Sequence, residues 1–179
     1  MRRECGWCCQ TGRLAGISRS QANTILDQLR RDGIVTVRTA GGVNLCELNR
    51  DHLAAAALIE LANIRQRAIE LIRREVEQWT AQPFHASLYG SFARGDGAED
   101  SDIDILVVAK GTLEEFDDAT AASGDRIERA TGNLVSWMLL DTDELDHLVA
   151  EGAPIVNEWR RDGLRIAGRS IELARRSVA

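Results

Sequence analysis

Hydrophobic and polar positions change rhythm several times along the chain. Between Ser18 and Gly33 the apolar residues Ala22, Ile25, Leu26 and Leu29 recur at spacings of three and four, which predicts an amphipathic helix with one buried face. Ser18 and Gln21 have the spacing of a capping box, so the helix should start just after Ser18. Gly33 stands where a helix end favours a left-handed residue. Arg13–Ala15 reads as the end of an earlier helix, with Gly16–Ser18 as a tight turn. IVTVR and VNLCEL follow, two short β-rich runs separated by Thr39, Ala40, Gly41 and Gly42, which reads as a hairpin. From Asp51 to Trp79 the helical period returns in Leu58, Leu61, Ala62, Ile69, Ile72, Val76 and Trp79, with Pro83 marking the end.

Beyond Phe84 strand-like and helical runs alternate. FHASLYG predicts a strand, Gly90-Ser91 opens a short helix, and DIDILVVA is a second strand. Thr112–Ala130 reads as a helix, LVSWMLL as a strand and Thr142–Glu151 as a helix, with a last polar helical region from Pro154. This order implies an α+β fold, a small mixed β-sheet with helices on one face. Three segments follow: 1–50, a connecting helix over 51–82, and a sheet domain over 83–179. No internal repeat or low-complexity tract interrupts them.

Composition refines this only slightly. With 44% hydrophobic and 28% charged residues in 179, the chain is of ordinary globular type. No apolar run approaches the roughly 20 residues that span a bilayer, and MRRECGWCCQ lacks the apolar stretch of a secretory signal; a cytoplasmic location is expected, with no membrane partner. Before residue 80 there are 12 basic residues against 9 acidic, and after it 10 against 19. The front half thus suits phosphates and the back half metal ions. Cys5, Cys8 and Cys9 lie together, with Cys46 and His52 far off. A tetrahedral zinc site needs four well-placed ligands, so reduced thiols are the reading.

One segment carries chemistry. Asp102 and Asp104 are one residue apart in a β-rich run, so their carboxylates should point the same way while Ile103, Ile105 and Val107 turn into the core. Two carboxylates side by side repel unless a cation lies between them, and Mg²⁺ suits such a pair because waters and phosphate oxygens complete its shell. Gly90 lets backbone approach a phosphate, Ser91 adds a hydroxyl, and the helix start offers N–H groups. Arg94 is placed to reach the phosphates or to brace the loop.

The combined string G-S-x10-D-x-D between two strands resembles the DNA polymerase beta-like nucleotidyltransferase superfamily, in particular its minimal bacterial members. The resemblance covers about residues 84–140 and is specific at Gly90–Asp104. It implies binding of a Mg²⁺–nucleoside triphosphate, with ATP expected, and transfer of a nucleoside monophosphate to a hydroxyl. Gly90, Ser91 and Arg94 would hold phosphates; Asp102 and Asp104 would hold metal and act in catalysis. Active members usually carry a third carboxylate on a later strand. The corresponding run here, residues 134–140, has none; Asp141 and Asp143 follow it.

Helix, tight turn, helix and hairpin in that order resemble bacterial winged helix-turn-helix regulators over about residues 11–50. This implies DNA contact through Arg19, Ser20, Gln21, Asn23 and Thr24 on the helix and Arg38 near the hairpin tip. Such modules usually begin with a complete helix, for which only about ten residues are present, so the true start is expected upstream. The alternative to an enzyme is a DNA-binding regulator, or an antitoxin-like protein paired with a helical toxin or with itself, whose nucleotidyltransferase domain turns over weakly or not at all. His85 and His147 are weak proton-shuttle candidates, Trp79 and Trp137 read as core, and Trp159 with Arg160 and Arg161 is a candidate exposed acceptor surface or a solvated helix end.

Overall fold

The computed structural model describes residues 16–40, 43–96, 101–110 and 112–171. The chain divides into two compact units, Met1–Asn63 and Ile64–Ala179. Expectations resting on Arg13–Ala15, on Cys5, Cys8 and Cys9, and on Gly41 and Gly42 lie outside the described residues.

In the first unit α1 spans Arg19–Arg31. Its capping box forms as the spacing requires: the Gln21 N–H donates to Ser18 Oγ, and the Ser18 N–H donates to Gln21 Oε1. Ala22 is the buried centre of its apolar face, but Ile25 is 50% exposed. Strands β1 (Val35–Ala40) and β2 (Val43–Leu48) pair antiparallel from Val35–Leu48 to Ala40–Val43. Asn49 Nδ2 closes the end of α1 by donating to the Gly33 carbonyl.

The helix expected over 51–79 is two helices, α2 (Ala55–Ala62) and α3 (Ile64–Glu77). Asn63, at φ −96° and ψ 7°, leaves the helical region and ends α2. Burial along the apolar stripe changes there too. Ile69, Ile72, Val76 and Trp79 are buried, whereas Leu61 is 66% exposed.

The second unit continues with β3 (His85–Tyr89), α4 (Gly90–Arg94), β4 (Ile103–Ala109), α5 (Glu114–Thr131), β5 (Val135–Asp141), α6 (Thr142–Glu151), α7 (Pro154–Asp162) and β6 (Leu164–Gly168). The sheet order is β5-β4-β3-β6; β4 and β5 are parallel and the other pairs antiparallel. It is therefore a mixed sheet in an α+β unit. Where the sequence suggested helix after Pro154, Gly163 ends α7 and the chain returns as β6.

Helices cover both faces of this sheet, not one. Ile103, Ile105 and Val107 pack with Ala86, Leu88 and Ile166 against Ile69, Ile72 and Val76 of α3 and Phe116 and Ile127 of α5. Leu106 and Val108 point the other way, onto Leu145 and Val149 of α6 and Val156 and Trp159 of α7. Each such fully buried aliphatic side chain contributes roughly 1.5–3 kcal/mol. Trp79 locks the first layer: its Nε1 donates to the buried Ser123 hydroxyl at 2.8 Å and its ring meets Phe116 edge-on. No helix among the described residues is long and apolar enough to cross a membrane.

Candidate nucleotide and metal site

The turn from β3 into α4 is built on Gly90. Tyr89 is extended at φ −142°, ψ −174°, and Gly90 follows at φ +72° in the left-handed region. A Cβ at Gly90 would lie 2.5 Å from Oδ2 of Asp104, nearer than real Cβ contacts come. Only glycine therefore lets this carboxylate rest on the backbone at the start of α4. Register explains the meeting, since Asp104 is the β4 partner of Tyr89, one residue before the turn. Ser91 is half-buried on the first turn of α4, and Asp102 is exposed just ahead of β4.

The Asp104 carboxylate is electrostatically strained. Burial raises the pKa of Asp104 above its ordinary value, and the charges of Asp102 and then Glu158 add to the effect. No ion-pair cation stands against Asp102 or Asp104 among the described residues. A partly buried, uncompensated carboxylate with a like charge beside it suits a divalent cation. No group of three or more acidic, histidine or cysteine side chains able to hold a metal occurs among the described residues.

Arg94 braces the site. Its Nε donates to Asp96 at 3.0 Å and its Nη1 to Asp162 at 2.6 Å, tying α4 to the end of α7. Arg161 and then Arg94, both bonded to Asp162, lower the pKa of that carboxyl to about 2. From α3, Arg65 donates to the carbonyls of Phe92 and Ala93 and so satisfies the C-terminal end of α4. A cavity of about 500 Å³ lies beside Arg65, Leu71, Phe92, Ser101 and Asn133, but none of the candidate phosphate or metal residues lines it.

Parallel pairing sets Ser136 of β5 beside Asp104. A hydroxyl thus occupies the neighbouring strand position. Asp141 is five residues farther along β5, roughly 16 Å away at the rise of a strand. It is committed elsewhere, as the N-cap of α6 accepting from the Glu144 N–H at 2.8 Å. The further carboxylate felt at the site is Glu158 of α7. The pKa of Tyr89 is raised by burial and then by Asp104 and Glu158 together.

In the first unit Arg19, Ser20, Gln21, Asn23 and Thr24 are all exposed on α1. Two already have work: Gln21 serves the cap, and the Thr24 hydroxyl donates to the Ser20 carbonyl. Arg38 pairs with Glu47 across the hairpin at 2.8 Å.

The profile of the family described as Nucleotidyltransferase domain matches residues 59–150. The chain belongs to this family. Its motif strand, motif helix and D-x-D strand all fall within the matched part of the nucleotidyltransferase domain. No curated protein matches the sequence. Among solved structures, a chain in the crystal structure of a toxin–antitoxin with AMP-PNP is 21% identical, covering 57% of this chain and 74% of that chain, with a TM-score of 0.40. A chain in the structure of a tri-AMPylated Shewanella oneidensis HEPN toxin in complex with MNT antitoxin is 20% identical, covering 59% and 73%, with a TM-score of 0.38.

Sequence reasoning missed Glu158, Arg65 and Asp162 as neighbours of the motif, because they arrive from other helices and carry no local signature. Trp159 is not part of an exposed acceptor surface, being 2% exposed and edge-on to Tyr89 at 6.3 Å between centroids, while Arg160 and Arg161 beside it are exposed at the end of α7. The apolar spacing of Val156 and Trp159 already marks that face. His147 is exposed, 3.4 Å from Glu151, and His85 is buried.

Proposed function

We propose that this nucleotidyltransferase domain binds a Mg²⁺–nucleoside triphosphate, ATP by expectation, and transfers the nucleoside monophosphate to a hydroxyl acceptor. The observation that carries the reading is the contact of the Asp104 carboxylate with the Gly90 backbone, which brings the two halves of the motif together. Gly90 and Ser91 would receive the phosphates and Arg94 would keep α4 in place. Asp102 and Asp104 would hold the Mg²⁺, which neutralises charge on the leaving pyrophosphate. The acceptor oxygen bonds to the α-phosphorus as the bond to the bridging oxygen breaks. Ser136 offers no carboxylate to take the hydroxyl proton, and we assign that part to Glu158, whose charge reaches Asp104.

The test is incubation with α-labelled ATP, Mg²⁺ and cell extract, comparing wild type with the Asp102→Ala, Asp104→Ala double variant. Label should pass to an acceptor with the wild type alone; equal incorporation by both proteins sinks the reading. Ser136 favours one second reading, a domain that binds nucleotide without turnover. Saturable Mg·ATP binding by the wild type, lost in the double variant and without any transferred label, would select it.

We further propose that the first unit is a winged helix-turn-helix that docks on DNA through Arg19, Ser20, Asn23 and Thr24, with Gln21 and Arg38 at the margins. Exposure of this polar face of α1, followed by the β1–β2 hairpin, supports it. Affinity for the DNA upstream of its own gene should fall with salt and weaken in Arg19→Ala; a flat salt response argues against docking.

A further inference from the structure

A second polar constellation lies on β3. His85 and Ser87 project from the same sheet face as Tyr89 and are 5% and 3% exposed. His85 Nδ1 is 2.7 Å from the Arg169 carbonyl oxygen and Nε2 is 2.9 Å from Ser87 Oγ. A carbonyl only accepts, so Nδ1 carries the proton, and Nε2 of the neutral ring accepts the Ser87 O–H. Ser87 therefore turns its own donor inward.

Both residues line a cavity of about 460 Å³ together with Trp159, Arg160 and Arg165. That volume falls in the range of roughly 300–1,000 Å³ typical of small-molecule sites. The strand pairing is altered at this point. Ala86 pairs with Ala167 but Ser87 with Arg165, so the β-bulge brings an arginine opposite the serine where unbroken pairing would put Ile166. Ile166 goes instead to the opposite core. Bulges commonly re-aim side chains in this way beside functional sites.

We propose that this cavity binds a small molecule bearing a phosphate or carboxylate, seated between Ser87 and Arg165, and that its binding places a proton on His85. When the ring is protonated, Nε2–H donates to Ser87 Oγ and the serine hydroxyl is released to donate to the anion. The charged side chains that line the cavity are cationic, Arg165 on β6 and Arg160 on α7; α7 also carries Glu158, whose charge acts on Tyr89, and Asp162, paired with Arg94 and Arg161, while Arg169 offers His85 its carbonyl and the β4 partner is Val108. Burial first, and Arg165 as a lesser cause, lower the pKa of the ring in the empty cavity. An incoming anion offsets those cations, so anion and proton each favour the other's binding by the same factor. This site makes no use of Asp102 or Asp104.

The test is NMR of the His85 imidazole nitrogens at pH 7.5, assigned with His85→Gln, during titration with inorganic phosphate, phenyl phosphate and benzoate. The expected result is a saturable change of the ring from neutral to protonated, with the phenyl probes binding on the order of tenfold tighter than inorganic phosphate; phenyl phosphate against benzoate tells which oxyanion is preferred. Ser87→Ala and the more exposed Arg165→Gln should each weaken binding by about tenfold, the strength of a charge-assisted contact. The Asp102→Asn, Asp104→Asn double variant should bind the probes as the wild type does, whatever becomes of nucleotide transfer. No saturable change with any probe, saturation with the ring left neutral, or unchanged affinity in Arg165→Gln overturns the proposal.

Discussion

Gly90→Ala separates a backbone cost from a functional one. Alanine at φ +72° must adopt the left-handed conformation, at a cost of about 1–2 kcal/mol. Its Cβ would also stand 2.5 Å from Asp104 Oδ2, where ordinary contact begins near 3.4 Å, so the carboxylate or the turn must retreat by about 1 Å. A displacement of that size at reacting groups costs about 100-fold in rate. Gly132, at the end of α5, supplies the control: its φ is +80° and nothing lies within 4 Å of its Cβ position. Gly132→Ala should carry the same backbone cost and leave the site alone. Urea unfolding of both variants, with Mg·ATP affinity by calorimetry and label transfer alongside, reads the two effects separately. Both should lose about 1–2 kcal/mol of stability, and Gly90→Ala alone should lose about 100-fold in transfer or, if turnover is absent, in Mg·ATP affinity. Function in Gly90→Ala within threefold of Gly132→Ala would refute the idea that this glycine exists to admit the Asp104 carboxylate.

Other outcomes follow from the same geometry. Because the pKa of Asp104 is raised on folding, its ionised form weakens the fold above that pKa, and the penalty disappears as pH falls through it. Asp104→Asn should accordingly raise the thermal midpoint near neutral pH without metal, and match the wild type in acid. Asp102→Asn removes a neighbouring like charge and should move the Asp104 titration downward, as read from its carboxyl carbon by NMR. Ser136→Asp sets a third carboxylate beside Asp104 and should tighten Mn²⁺ binding by about tenfold, roughly one added charge–charge contact at the surface; unchanged affinity by spin-resonance titration counts against the register argument. Glu158→Gln should slow transfer and alter its pH profile while leaving Mg·ATP affinity near wild type. Trp79→Phe removes one of two donors to the buried Ser123 hydroxyl, Arg126 keeping the other at 3.2 Å, and the lost hydrogen bond should cost about 0.5–1.5 kcal/mol by urea unfolding.

The chemical core was legible because its parts lie close together. Gly90, Ser91, Asp102 and Asp104 occupy 15 consecutive positions, and strand alternation with one tight turn suffices to bring them together. The surroundings were not, since Arg65, Glu158 and Asp162 reach the motif from helices that local spacing cannot orient. The break at Asn63 was hidden by an apolar pattern that runs across it, the two sides belonging to different units. Coverage of both sheet faces had a trace in the sequence: Ile105, Leu106, Val107 and Val108 form an uninterrupted apolar run, the mark of a strand buried on both sides. Strand β6 was missed because its alternation, with Leu164 exposed and Ile166 buried, is too short to stand out from a polar helix end.

The Arg94–Asp162 pair has a consequence for anyone who would move this domain to another setting. The family match stops at residue 150, but α7 and β6 lie beyond it. Cutting at the end of the match would discard the partner of Arg94, uncover Leu106 and Val108, and leave Tyr89 without the ring that packs on it. The smallest transplantable piece is thus set by α7 and β6, not by the reach of the recognisable motif. A graft ending at Ile171 also keeps the Arg169 backbone bonded to Phe84 and His85, and one ending at Glu151 would have to find a substitute in its host.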